Sequence, residues 1–135
     1  MPHRITFVPE LEVVVARFSG EISLPELEKA LDEVTREPWF HSHLKLIADF
    51  RGCSTAMSGD DVHTFATYAK RADVAWGDTK WAILASSDLI YGLSRIYMAI
   101  TAEYHVQTHV FRSAQESDDW LGLGVGIDEA LKRAA

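Results

Sequence analysis

The residues able to do chemistry fall into a few groups along the chain. His41 and His43 form an H-x-H pair. A metal site takes three or four ligands, and no third lies nearby in sequence, so the pair is read as loop histidines and no metal is expected. His105 and His109 repeat at the even spacing that puts side chains on one face of a strand. Sheltered together they would make a pH-responsive patch; surface positions at a sheet edge explain them as well. Cys53 is the sole cysteine. As a nucleophile it would need a base and an electropositive setting, and Arg51 and His63 are the groups close enough in sequence to supply them. Packing explains a lone thiol more simply. Asp49, Asp60 and Asp61 could be acid–base groups. Asp60 and Asp61 are adjacent on a helix, however, and serve better as partners of its dipole. No set of groups converges on a reaction, and no enzyme activity is expected.

Ser58 heads a helix, and Asp61, three residues on, completes a capping pair. Such a cap is worth about 1 kcal/mol. A helix N-terminus also welcomes a phosphate, although Asp60 and Asp61 already place negative charge there and would oppose one. A cap alone is the simpler reading of Ser58; the alternative makes it the candidate phosphorylation site, with Ser54 and Thr55 in the preceding loop as weaker candidates. Asp49 and Arg51 are expected on the same loop surface. The aromatic residues are the richest feature. Tyr68 and Trp76 lie on or just past one helix, Tyr91 and Tyr97 on the next. If those helices are neighbours, the rings could line an apolar groove with polar tips, suited to a small molecule or a protein partner. Ordinary core and rim packing is the alternative.

Hydrophobic patterning indicates what holds these groups. Apolar runs at 5–8 and 12–18, broken by Pro9 and Glu10, read as a hairpin. Residues 13–16 are apolar on both faces, as in a sheet covered on both sides. A helix follows Ser23, which pairs with Glu26 as a capping box, with Pro25 in the first turn. Leu24, Leu27, Leu31 and Val34 form its buried stripe. Residues 44–50, 81–85 and 105–111 read as strands. The helix from Ser58 turns Val62, Phe65, Ala66 and Ala69 inward, and the helix after Ser87 groups Leu89, Leu93, Ile96 and Ile100. Ser113 caps a short helix through Trp120 and Leu121, and residues 127–135 could add an amphipathic turn or two. The order is β-β-α-β-α-β-α-β-α, an α/β chain whose alternating strands and helices imply mostly parallel pairing. Gly122, Gly124 and Gly126 read G-x-G-x-G. They follow a helix and lack the strand–turn–helix setting of a dinucleotide site, so no cofactor is expected.

Composition bounds the rest. The chain has 135 residues, 47% of them hydrophobic, enough for one domain with a core that needs no metal or disulfide. A net charge of −7 disfavours nucleic acid and anionic membrane surfaces. No run reaches the roughly 18–20 apolar residues of a membrane helix, and no apolar signal core stands near Met1. A cytoplasmic location without membrane insertion is expected.

Specific residues carry a resemblance. They are Asp49-Phe50-Arg51 closing the third strand, Ser86-Ser87-Asp88-Leu89-Ile90-Tyr91-Gly92-Leu93-Ser94-Arg95 after the fourth, and Val110-Phe111-Arg112-Ser113 running into Trp120-Leu121. With the element order, these resemble the small bacterial SpoIIAA-like proteins, a STAS-related family, up to about Leu121. The resemblance implies a SpoIIAA-like (STAS-like) β/α superhelix: a five-stranded, mostly parallel sheet with an antiparallel first strand. It also implies kinship with anti-anti-sigma factors and with CRAL-TRIO lipid-transfer domains. Anti-anti-sigma factors carry an Asp-Ser-Ser-Gly-like motif after the third strand, where a phosphorylated serine breaks binding to a kinase. The corresponding stretch here is Met57-Ser58-Gly59-Asp60, which keeps one serine and loses the flanking residues. Residues 1–121 are thus expected to form a single STAS-like domain, with 122–135 a partly helical C-terminal tail. The function expected is a non-enzymatic binding or regulatory module acting on a protein partner; the alternative is a carrier of a lipid or other apolar small molecule. A homodimer is expected from the apolar load of the helix after Ser87 and from residues 127–135, whose sided pattern has no core left to face.

Overall fold

The computed structural model describes residues 3–134. In chain order the elements are β1 (His3–Val8), β2 (Val13–Phe18), β3 (Glu21–Ile22), α1 (Leu24–Arg36), β4 (Lys45–Asp49), β5 (Ser54–Thr55), α2 (Gly59–Trp76), β6 (Thr79–Leu84), α3 (Asp88–Ile100), β7 (Val106–Phe111), α4 (Ala114–Leu121) and α5 (Ile127–Ala134). The hairpin turn between β1 and β2 is a short 3-10 turn over Pro9–Leu11, closed by Glu12 in the left-handed region (φ 53°). The main sheet runs β1-β2-β4-β6-β7, with β1 antiparallel and the others parallel. That is the mixed sheet and the α/β class expected from the sequence. The parallel pair β3–β5 forms a second, separate sheet. Neither of these short strands is legible in the sequence, since two residues are too few to display a period.

Both faces of the sheet are covered, as the unbroken apolar run in β2 requires. Helices α1, α2 and α3 pack on one face. There the register aligns Val14, Leu46, Trp81 and Thr108 in one row and Ala16, Ala48, Ile83 and Val110 in the next. The other face carries Val13, Val15, Ile47, Ala82 and Leu84, which pack with Leu121, Leu123, Ile127 and Ala130 from α4, α5 and the turn between them. Leu123, Ile127 and Ala130, expected as part of a tail, therefore belong to the core: Ile127 is 1% exposed. The sided pattern of that segment has a core to face, and this support for a homodimer falls away.

Helix starts follow the serines. Ser58, Ser87 and Ser113 each accept a backbone N–H from the third residue on. Around Ser58 the box is complete, because Asp61 Oδ2 also accepts the Ser58 N–H at 2.9 Å. The box expected at Ser23 does not form. Ser23 makes no side-chain cap, and Glu26 is drawn instead to the buried His3 on β1. The inner face of α3 also differs from expectation. Ile90, Ser94 and Tyr97 are buried while Leu89 and Ile96 stay exposed. The helix is apolar nearly all round, so spacing alone could not choose its buried side; accommodating the bulk of Tyr97 beneath α2 does. Among the described residues no helix is long and apolar enough to cross a membrane.

Candidate functional site

Between the sheet and helices α1–α3 the packing leaves a cavity of about 130 Å³. Its cause is side-chain size. Ala16 and Ala48 stand side by side in the register, two methyl groups in a row flanked by Val14 and Leu46 on one side and by Phe18 and Phe50 on the other. On the helix side Ala30 adds a third small residue to the wall. The cavity runs along the strands. At their carboxyl ends lie Phe18 and Phe50, ring centroids 4.8 Å apart, together with Ile22, Thr55 and Met57. At the opposite end Trp76, the last residue of α2, meets Trp81 near the start of β6 edge to face, centroids 5.0 Å apart and planes at 83°. Trp76 is fully buried, so this end is closed. Leu27, Thr55, Met57, Phe65 and Leu93 are only half-buried and mark where the cavity comes nearest the surface. Ligands of open α/β sheets are taken at the carboxyl ends of the strands, the side on which Thr55 and Met57 lie.

The lining is apolar, and two of its few polar side chains are engaged within the chain. Ser94 Oγ donates to the Ile90 carbonyl at 2.7 Å. Thr55 Oγ1 donates to the Ile22 carbonyl at 2.8 Å and accepts the Met57 N–H at 3.1 Å. Burial, with Tyr104 and Asp73 adding to it, pushes the Tyr97 phenol well above its ordinary range and keeps it neutral. Nε1 of Trp76 and of Trp81 are buried, and neither has a hydrogen-bond partner among the described residues. The Trp76 end is held firmly, because Asp73 on the same turn accepts the backbone N–H groups of His105 at 2.9 Å and Val106 at 3.0 Å, tying α2 to the start of β7.

The volume has an energetic meaning. At ~24 cal/mol per Å³, a fully enclosed void of about 130 Å³ would cost about 3 kcal/mol; this one opens toward the surface, so its cost is smaller. A dry cavity of roughly 150 Å³ walled by aliphatic and aromatic side chains binds benzene. The space here is of that order and that character.

The sequence candidates separate into three places. Trp76 and Tyr97 line the cavity. Tyr68 does not. Its hydroxyl donates to Asp32 of α1, and Arg71 lies over its ring. Tyr91 lies under the Arg112 guanidinium, 4.3 Å from its ring centroid, outside the cavity wall. The four rings thus do not share one groove. Trp81, Phe18, Phe50 and Phe65 belong to the wall although the sequence reading does not pick them as site residues. The signal available for Trp81 is its shared strand parity with Ile83 and Ala85, which marks one face of β6.

Thr55 lines the cavity at its rim, and Ser58 immediately follows the lining residue Met57. The Ser58 hydroxyl is committed to the cap, accepting the Asp61 N–H at 3.2 Å; Ser54 is exposed and its backbone N–H donates to Gly20. Asp49 and Arg51 sit on the opposite face. The Asp49 carboxylate is buried and accepts from Arg51 Nε (2.9 Å) and Nη2 (2.8 Å) and from Arg17 Nε (3.2 Å). Arg51 reaches on to Asp128 of α5 at 3.0 Å. Burial alone would raise the Asp49 pKa, but Arg51 and then Arg17 outweigh it and hold the carboxyl below its ordinary range. The loop surface expected for Asp49 is not where it lies; it is a buried anchor for α5.

Cys53 is buried, its thiol donates to the Phe18 carbonyl at 3.2 Å, and burial followed by the Asp49 charge pushes its pKa up. That setting disfavours a thiolate nucleophile. His41 contacts Glu12 at 2.7 Å and His43 bonds the Asp78 carbonyl at 2.9 Å, so the H-x-H pair diverges. His105 contacts Asp78, whereas His109 packs between Phe111 and Trp120. Among the described residues no three His, Cys, Asp or Glu side chains are grouped to hold a metal ion.

No protein-family model matches the chain, and no curated protein matches it in sequence. A solved structure does match in shape: an uncharacterised protein of the DUF3478 family with a SpoIIAA-like fold, from Shewanella loihica PV-4. The two share 13% identity over 81% of this chain and 83% of that one, with a TM-score of 0.53. This protein has the SpoIIAA-like fold, reached from its sequence, its sheet order and its likeness to that structure alike.

Proposed function

We propose that the protein is a non-catalytic binding module that holds an apolar small molecule in the cavity between the sheet and helices α1–α3. One observation carries this reading: the paired Ala16 and Ala48 leave a hole of about 130 Å³ in an otherwise filled core, walled by aliphatic and aromatic side chains. Native interiors are close-packed, and large residues at these positions would remove the cost of the hole. A ligand that fills the cavity offsets the same cost. The reading favoured on sequence, a module acting on a protein partner, draws less support, because the hydroxyl of its candidate phosphorylation site, Ser58, is occupied by the capping box.

Native mass spectrometry of the chain, purified without detergent and sprayed under gentle conditions, tests the proposal against Ala48→Leu, whose added carbons occupy the hole. The expected outcome is an adduct of one small molecule on the wild type that is absent from the variant. Adduct-free wild type that also fails to take up added toluene would refute it.

A further inference from the structure

The surface onto which the cavity opens bears on the length of its ligand, provided that the cavity is a binding site as proposed above. By comparison with the void of ~150 Å³ that takes benzene, about 130 Å³ holds about six carbon atoms. The mouth does not lead straight to a polar surface. Leu93, a half-buried residue of the wall, stands on α3 between Leu89 and Ile96. Spacings of four and three residues put these side chains next to one another on one strip of the helix. Leu89 is 54% exposed and Ile96 39%, and neither lines the cavity. Among the described residues the only other large apolar side chain so exposed is Val74, in the last turn of α2 and at the far end of that helix from Met57. An apolar side chain exposed singly is ordinary; two that flank a residue of a cavity wall extend that wall onto the surface. Ile96 also reaches the start of α2, where a Cβ on Gly59 would lie 3.9 Å from its Cδ1. Gly59 is two residues from the lining Met57, so the strip borders the mouth on the α2 side as well.

We propose that the ligand is an elongated alkyl chain, longer than the cavity, whose inner end fills the space beside Ala16 and Ala48 and whose outer part passes Leu93 and lies along Leu89 and Ile96. The strip runs about 10 Å along α3 at the helical rise of ~1.5 Å per residue, which is room for several methylene groups beyond those inside. A methylene taken fully out of water tightens binding about fourfold. One laid on an open strip keeps water on its outer side and gains about half of that free energy, a factor of about two. A chain accounts for both features together. A compact ring would fill the cavity and leave Leu89 and Ile96 bare. A second copy of the protein seated on the strip would cover the mouth and leave the cavity empty, and the test separates it from the chain.

The test compares 1-hexanol, short enough for the cavity, with 1-decanol, which is four carbons longer. Binding of both is measured by calorimetry to the wild type and to the double variant Leu89→Asp/Ile96→Asp. Both substitutions fall on exposed side chains outside the cavity wall, where changes alter stability little. Decanol is expected to bind the wild type about tenfold tighter than hexanol, or more. In the double variant hexanol is expected to stay within about twofold of its wild-type affinity, and decanol to fall to about the hexanol level. Equal affinity of the two alcohols for the wild type, or a double variant that weakens both alike or neither, means that the ligand ends at the mouth; the inference then fails while the binding reading stands. If the wild type binds neither alcohol and takes up no toluene, the binding reading fails with it. Light scattering on the same two proteins reads the other occupant: a wild-type dimer that the double variant splits, with the advantage of decanol unchanged, overturns the inference in favour of a second copy. The comparison of chain lengths on the wild type needs no variant, so the test decides even if the double variant does not fold.

Discussion

Asp49 illustrates how much a single side chain can mislead at the level of sequence and explain at the level of structure. Read as a loop residue, it is a buried carboxylate between Arg17 and Arg51 that ties the sheet to α5 through Asp128. Arg51→Ala would leave that charge with Arg17 alone and is expected to lower stability by about 2 kcal/mol in urea unfolding. The pH dependence follows from the sign of the shift. Asp49 and Asp128 are both held below their ordinary 3.8 by Arg51, so their stabilisation is present above that value and is lost as the pH falls below it. Asp118 is opposite. Burial first, and neighbouring carboxylates after it, raise its pKa, so its contribution is full in acid and lost as the pH rises through the raised value. Asp118→Asn keeps an acceptor for the Ile127 N–H and is expected to make the protein more stable than wild type at neutral pH, the gain shrinking as the pH falls toward the ordinary carboxylate range; no gain at neutral pH would count against the shift. Ser58→Ala removes the cap and is expected to cost about 1 kcal/mol. The caps at Ser58 and Ser113 were legible because they are local. The fates of Glu26 and Asp49 were not, because their partners His3 and Arg17, and the Asp128 that Arg51 also reaches, lie far away in sequence.

At the scale of elements, the helices and the strands of the main sheet were readable from apolar periodicity, and their packing partners were not. Strand order and the antiparallel first strand came from element order and family resemblance together. The buried side of α3 and the place of α5 needed tertiary context. Apolar residues ring α3, and the sided pattern of α5 does not say whether it faces its own sheet or a second copy. In the folded chain α5 closes the second core, with Ile127, Ala130 and the preceding Leu123 packed over Val13, Val15 and Ile47. Ile127→Ala is accordingly expected to cost about 2–4 kcal/mol, in the range of other buried large-to-small changes, as read by the midpoint of chemical unfolding. A loss below about 0.5 kcal/mol, the size of an ordinary surface substitution, would mean that α5 is a tail after all.

For the molecule as a whole, the sequence disclosed that large aromatic residues were plentiful but not where they would meet. The cavity depends on Ala16, Ala30 and Ala48, three ordinary alanines from three elements, converging opposite Trp76 and Trp81. Only the register, which sets Ala16 beside Ala48, makes that hole visible. Filling it by Ala48→Leu is expected to raise stability by about 1 kcal/mol, as cavity-filling changes commonly do, while abolishing ligand uptake. The most direct measurement is thermal unfolding of the wild type and of Ala48→Leu across increasing toluene. A ligand bound only by the folded state raises the midpoint with its concentration. The midpoint of the wild type is expected to climb by a few degrees as toluene approaches saturation, with that of Ala48→Leu unmoved; a flat wild-type response, or an equal rise in both proteins, would contradict the cavity as a binding site.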